Sequence, residues 1–177
     1  VNLYGAPALS LKEFAAYRQD LIVGASLQAS VPVGQYDSDK LVNIGTNRWA
    51  FKPELGVSKV WGAWTLEFAV AATFYTDNKD FLGGKTREQE PVYSIQGGVI
   101  YSFASGAWLG LNGTYFTGGR TTVNGVKGDD MQQNSRVAAT LAFPVDRRNS
   151  IKLYASDGVS TRIGSDFTVF SVVWQYR

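Results

Sequence analysis

The side chains of this sequence that could do chemistry are hydroxyls, carboxylates, ammonium groups and guanidinium groups, because its 177 residues include no Cys and no His. Thiol nucleophiles, imidazole bases and the common zinc sites are thereby excluded. One nucleophilic arrangement survives, a Ser with a Lys base, and Lys152 does lie between Ser150 and Ser156 on one face of an extended segment. Any alternating strand produces that spacing, so no enzyme is expected. Asp129 and Asp130 could contact a cation, but an acidic pair in a solvated loop more often shapes a turn, and neither a metal nor a cofactor is expected. The remaining constellation is Lys52, Glu54 and Glu67. The first two are neighbours on one face, and a tight turn at Trp61 and Gly62 brings Glu67 opposite the same stretch. An isolated charge in a narrow, partly dehydrated space is costly. These three are therefore expected to cluster at mid-height, closed by Arg48 or Arg136, either as a ladder that fills a bore or as a selectivity filter.

The elements that position these groups follow from composition and periodicity. Hydrophobic residues make up 45% of the chain, which is enough to fold rather than remain disordered. One domain over residues 1–177 is expected. Seventeen Lys and Arg against 15 Asp and Glu give a net charge of only +2 with no basic run, so no nucleic-acid partner is expected. No run of about 18 apolar residues exists, which excludes a membrane-spanning helix but not a membrane-spanning strand. The sustained signal is period two. From Leu21 the odd positions through Val33 are apolar, with Gly24, Ser26, Gln28 and Ser30 between them. Seven further segments repeat it, around Trp49 to Val57, Trp64 to Phe74, Tyr93 to Phe103, Leu109 to Tyr115, Val137 to Val145, Ile151 to Ala155 and Phe170 to Tyr176. Eight strands of about 11 to 14 residues are expected, the length a tilted strand needs to cross a bilayer.

The connections alternate. Residues 34–47, 77–90 and 118–133 read as long polar loops, whereas VWGA (60–63), ASGA (104–107) and DRRN (146–149) read as tight turns. Outer-membrane barrels share this asymmetry of short periplasmic turns and longer outer loops; the short loop at Arg162 to Ser165 is an exception. Ser10 to Arg18 reads as one short helix, with Ser10 and Glu13 spaced as a capping box and Leu11, Phe14, Ala15 and Arg18 in a stripe. It is a rim element or a plug. Val1 to Tyr4 reads as the tail of a further strand.

Which face meets which solvent separates two barrels. A soluble lipocalin-like barrel would turn its apolar face inward and cover its outside densely with charge, about 25–35% of surface residues. Here the polar faces carry only Arg48, Lys52, Glu54, Glu67, Arg136 and Lys152, diluted among Gly, Ser, Thr, Ala, Gln and Asn. These six are the expected lumen-lining charges. Trp49, Trp64, Phe74, Tyr93, Phe103, Phe143, Trp174 and Tyr176 fall near strand ends, as aromatic girdles do. The expected fold is an all-β, antiparallel, up-and-down transmembrane β-barrel.

The segments LVNIGTNRWAFKPELGVSKV (41–60), QYDSD (35–39), TYFTGG (114–119) and STRIGS (160–165), with LYGAPALSL (3–11) and the terminal WQYR, are more specific. Through them the chain resembles the MetA-pathway of phenol degradation family of Gram-negative outer-membrane barrels. The resemblance implies additional strands before LYGAP, a barrel of about twelve strands, and transport of aromatic or hydrophobic compounds. It supplies no catalytic or binding residue.

The reading that follows is a passive outer-membrane channel for small hydrophobic or aromatic solutes, with Tyr36, Phe81 and Leu82 as apolar contacts in the loops. Bilayer lipid is one partner and lipopolysaccharide another, the latter through Lys79, Lys85 and Arg87. A structural or adhesive barrel acting through its outer loops is the alternative, and a soluble ligand-binding barrel is a further one.

Overall fold

The computed structural model of the protein describes residues 1–5, 7–164 and 166–176, without the side chain of Ala15. Ser165, Arg177 and the Ala15 side chain, which belong to the loop, terminal motif and helix stripe expected above, lie outside the described residues.

The chain runs through β1 (Asn2–Tyr4), α1 (Leu11–Ala16), β2 (Leu21–Ser30), β3 (Ala50–Trp61), β4 (Trp64–Tyr75), β5 (Asn78–Phe81), β6 (Lys85–Gln89) and β7 (Val92–Ser102). It continues with β8 (Trp108–Gly118), β9 (Thr121–Val123), β10 (Val126–Lys127), β11 (Gln132–Pro144), β12 (Asn149–Thr161) and β13 (Val169–Tyr176). Nine strands form one antiparallel sheet in the order β1-β2-β3-β4-β7-β8-β11-β12-β13. All eight expected strands are present. Two are shorter than expected: β2 has 10 residues and stops at Ser30, before Pro32, whose missing N–H cannot serve a ladder, and β13 has 8. β12 instead runs 13 residues, to Thr161. Residues Asn2 and Tyr4 pair with Gly24 and Val23, so β1 is a strand of this sheet. Among the described residues β1 and β13 do not pair with each other, and the sheet is an open wall rather than a closed ring.

Tight hairpins join one end of the wall. Trp61 pairs directly with Trp64, leaving a two-residue loop in which Gly62 takes φ 61°, as a type II′ turn requires. At 145–149, the Val145 N–H donates to Asn149 O at 2.9 Å, and the Asp146 carboxylate accepts from the N–H groups of Arg148 and Asn149 at 2.7 and 2.8 Å. α1 precedes β2 at this same end. Ser10 caps it: its N–H donates to Glu13 Oε2 at 2.8 Å while the Glu13 N–H donates to Ser10 Oγ at 3.4 Å. The helix ends at Ala16, two residues short of the expected Arg18, where Tyr17 turns extended.

The segments expected to be plain loops are more ordered than their composition suggested. β5, β6, β9 and β10 form a second, four-stranded sheet in the order β10-β9-β6-β5, so residues 78–89 and 121–127 make a small canopy at the other end of the wall. β6 and β9 hold it together, with Arg87 opposite Val123, Glu88 opposite Thr122 and Gln89 opposite Thr121. Asn124 at φ 46° and Gly125 at φ 78° turn β9 into β10, the Asn-Gly hairpin signature.

The described residues form no conventional core. Among the described residues the buried hydrophobics are Phe81 and Ala142. Leu55, Phe68, Val70, Ile95, Leu111, Val137 and Leu153, all mid-strand, are exposed. Register and strand alternation put them on a single face: Leu55 pairs with Val70 and Val70 with Ile95, Val57 with Phe68, Leu111 with Ala139, and Leu141 with Leu153, while Val137 lies two residues from Ala139. A soluble barrel would bury this face at a gain of about 25 cal/mol per Å². Here it is solvated by whatever surrounds the wall.

Candidate functional site

The opposite face is built from small and polar side chains by the same register. One row crosses six strands: Ser58 pairs with Glu67, Glu67 with Gly98, Gly98 with Asn112, Asn112 with Ala138, and Ala138 with Ser156. Next to it, Gln28 pairs with Lys52 and Ser26 with Glu54. These rows border a recess of about 340 Å³ that includes Ser26, Glu54, Ser58, Glu67, Gln96 and Asn112. Such a surface is wettable, and its charges are Lys52, Glu54 and Glu67 among neutral side chains.

Register also corrects the expected charge cluster. Lys52 Nζ and Glu54 Oε2 do form an ion pair at 2.9 Å, both side chains being about one-third exposed. Glu67, however, stands opposite Ser58, and Ala71 is the residue opposite Glu54. The two-residue turn fixes this offset, since each step from the Trp61/Trp64 pair moves both strands together. The three-member cluster is therefore a pair plus a separate carboxylate, and neither Arg48 nor Arg136 closes it. Arg136 donates through Nη2 to Ser156 Oγ at 3.2 Å and to Phe167 O at 2.8 Å, with its guanidinium 4.2 Å from the Phe167 ring centre. Lys152, opposite Ala142, sits 5.6 Å from the Trp108 ring centre. At half burial these contacts keep long cationic side chains flat against the wall.

Arg48 lies before β3, under the canopy. Its guanidinium stacks 4.4 Å from the Tyr75 ring centre and Nη2 donates to Gln89 Oε1. Burial first, and the nearby charge of Arg87 second, hold its pKa below the ordinary arginine value. Asn78, 2% exposed, is the pin of this region. Its Nδ2 donates to Tyr36 Oη at 2.8 Å and to Thr46 O at 3.3 Å, and its Oδ1 accepts from Asn47 Nδ2 at 3.1 Å and from the Asp80 N–H at 3.0 Å. Tyr36 Oη in turn donates to Asp80 O at 3.0 Å. Tyr36 and Phe81 both border a cavity of about 100 Å³ here; Leu82 is outside it, in the β5–β6 turn at φ 41°. Arg87, expected to face outward with Lys79 and Lys85, instead lies 5.1 Å from the Phe81 ring centre and borders the same cavity.

Asp130 anchors the other hairpin. Burial works against its ionisation, but hydrogen bonds from the Thr121 hydroxyl at 2.5 Å and the Thr121 N–H at 2.9 Å outweigh it and hold its pKa below the usual carboxylate range. Asp129 forms an ion pair with Arg162 at 2.5 Å. Among the described residues no group of three or more His, Cys, Asp or Glu could hold a metal ion.

Sequence reasoning missed Asn78, Gln89 and the inward turn of Arg87. The Asn-Gly dipeptide at 124–125 was one signal that the loops pair, and the three-residue, Gly-containing turn of Leu82, Gly83 and Gly84 between β5 and β6 was another.

Long antiparallel strands with an exposed apolar face, a polar face of small residues and tight turns at one end define the wall of an outer-membrane-type β-barrel. The chain is similar to an outer membrane channel from Pseudomonas putida F1, with a TM-score of 0.79 at 24% sequence identity over 88% of this chain. It spans 59% of that chain's length. Residues 4–171 match the family described as "Putative MetA-pathway of phenol degradation", and the chain belongs to that family. No curated protein matches it.

Proposed function

We propose that the protein resides in the bacterial outer membrane and is a passive channel for small hydrophobic or aromatic compounds. The observation that carries this reading is the inversion of the fold. Leu55, Phe68, Val70 and Leu111 are exposed, whereas Glu54, Glu67, Gln96 and Asn112 share a recess on the other face. A hydrocarbon solvent outside and water inside make that distribution favourable. The similar channel of known structure and the phenol-degradation family support it.

Bilayer lipid covers the apolar face, and Trp64, Tyr101 and Phe103, whose rings meet edge-on at 4.7 and 4.9 Å, lie at one interface. Solute passes along the Ser, Gly, Asn and Gln rows, past the Lys52–Glu54 pair. Side chains fill a ring of eight strands, so a ring of about twelve is the form of the proposal that leaves a passage. Lys79 and Lys85 on the canopy face lipopolysaccharide phosphates. None of these roles requires a catalytic group.

The test is conductance and solute flux by the full-length protein in planar bilayers and liposomes. Reproducible conductance with uptake of small aromatic solutes is expected. A protein that inserts but passes neither ions nor solute refutes the channel and leaves a structural barrel acting through its canopy.

A further inference from the structure

The cavity under the canopy brings two guanidinium groups to one wall. Arg48 and Arg87 share its wall with Tyr36, Asn43, Asn78 and Phe81. Among the described residues no carboxylate lies within ion-pair distance of either guanidinium. Asp37 pairs with Lys40 at 2.9 Å, and Asp130 accepts from Thr121 and reaches Arg87 only through its field, without an ion pair. Among the described residues the buried Arg48 Nη1 has no hydrogen-bond partner. Buried polar groups are nearly always satisfied, and an orphan on a cation beside a second cation asks for an explanation. The two amide oxygens beside it already accept elsewhere, Asn43 Oδ1 from the Asp37 N–H and Asn78 Oδ1 from Asn47 Nδ2 and the Asp80 N–H.

We propose that Arg48 and Arg87 form an anion-binding site at the mouth of the barrel, and that its ligand is the carboxylate of a small aromatic acid. Guanidinium donors in a partly dehydrated site make the strongest hydrogen bonds to carboxylates. Leu41, Tyr36 and Phe81 border the same space, so the ligand's uncharged part meets carbon rather than water. The acid being a permeant rests on the channel reading; the site itself does not.

The experiment measures binding and flux separately on the full-length protein. In detergent micelles, titration calorimetry compares benzoate, its neutral counterpart benzyl alcohol, and inorganic phosphate. Benzoate is expected to bind about tenfold more tightly than benzyl alcohol, with R48M and R87M each reducing the preference to about twofold, and R48K retaining part of it. Heat-modifiable gel mobility checks that each variant is folded, and if R48M does not fold, R87M decides. Equal binding of benzoate and benzyl alcohol, or undiminished benzoate binding by R87M, overturns the site. Phosphate binding as tightly as benzoate overturns the aromatic-acid assignment. Liposome flux of benzyl alcohol reports on the channel alone. Binding without flux removes the channel and keeps the site, and flux without binding does the reverse.

Discussion

Placing an arginine at Val70 tests the assignment of faces most directly. β4 has 12 residues, or about 40 Å at roughly 3.3 Å per residue. A tilt of about 45° reduces that to about 28 Å of height, close to the ~25 Å apolar band of outer-membrane barrels. Val70 lies midway along this strand, flanked on its own face by Leu55 and Ile95, with no acid beside it to pair an introduced charge. Val70→Arg should therefore cost about 2–4 kcal/mol, the range for a midplane arginine facing lipid. At about 1.4 kcal/mol per decade that is roughly thirty- to a thousandfold in the folding equilibrium. The next residue supplies the control. Ala71 pairs with Glu54 on the polar face, so Ala71→Lys adds a charge beside a carboxylate, where an exposed pair changes stability by no more than about 1 kcal/mol. Urea titration of the full-length protein folding into phospholipid vesicles measures both. Equal losses, or a larger one at Ala71, would refute the inside-out reading.

Two further outcomes follow from the ends of the wall. Asn78→Ala deletes four hydrogen bonds of a side chain that is 2% exposed, worth about 0.5–1.5 kcal/mol each; hydrogen exchange should rise in residues 34–47 and 78–81 while β3 and β4 keep their protection, and a uniform rise would show that the canopy is no separate unit. At the opposite end, the N–H of Arg148 first, then the amide and N–H of Asn149, hold the Asp146 pKa below its ordinary 3.8. Because the folded value is the lower one, the carboxylate's contribution is present above the ordinary value and fades as pH falls through the folded one. An NMR titration of the Asn149 amide should show a midpoint below 3.8 that Asp146→Asn abolishes.

The wall was legible because its signal is cumulative. Alternation from Leu21 to Ser30 or from Trp64 to Tyr75 repeats one binary choice at every position, and a one-residue slip would expose the wrong face throughout. The polar-face charges were legible as a set for the same reason. Their partners were not. Whether Glu67 meets Glu54 or Ser58 depends on the length of a two-residue turn, a local matter that alternation does not encode. The canopy was harder still. β9 and β10 have 3 and 2 residues, too few to show a period, and they exist because β6 from a distant segment lies alongside. Arg87 turned inward for a reason absent from its neighbours in sequence, the Phe81 ring across the hairpin.

The backbone bonds between β6 and β9 carry a consequence for how the entrance behaves in time. Two excursions of the chain that leave the wall separately, 76–91 and 119–131, share a sheet and cannot swing independently. Any displacement of one drags the other, so the two excursions move as one unit. Exchange of the β6 and β9 backbone amides would then rise together, since both report the opening of one shared seam.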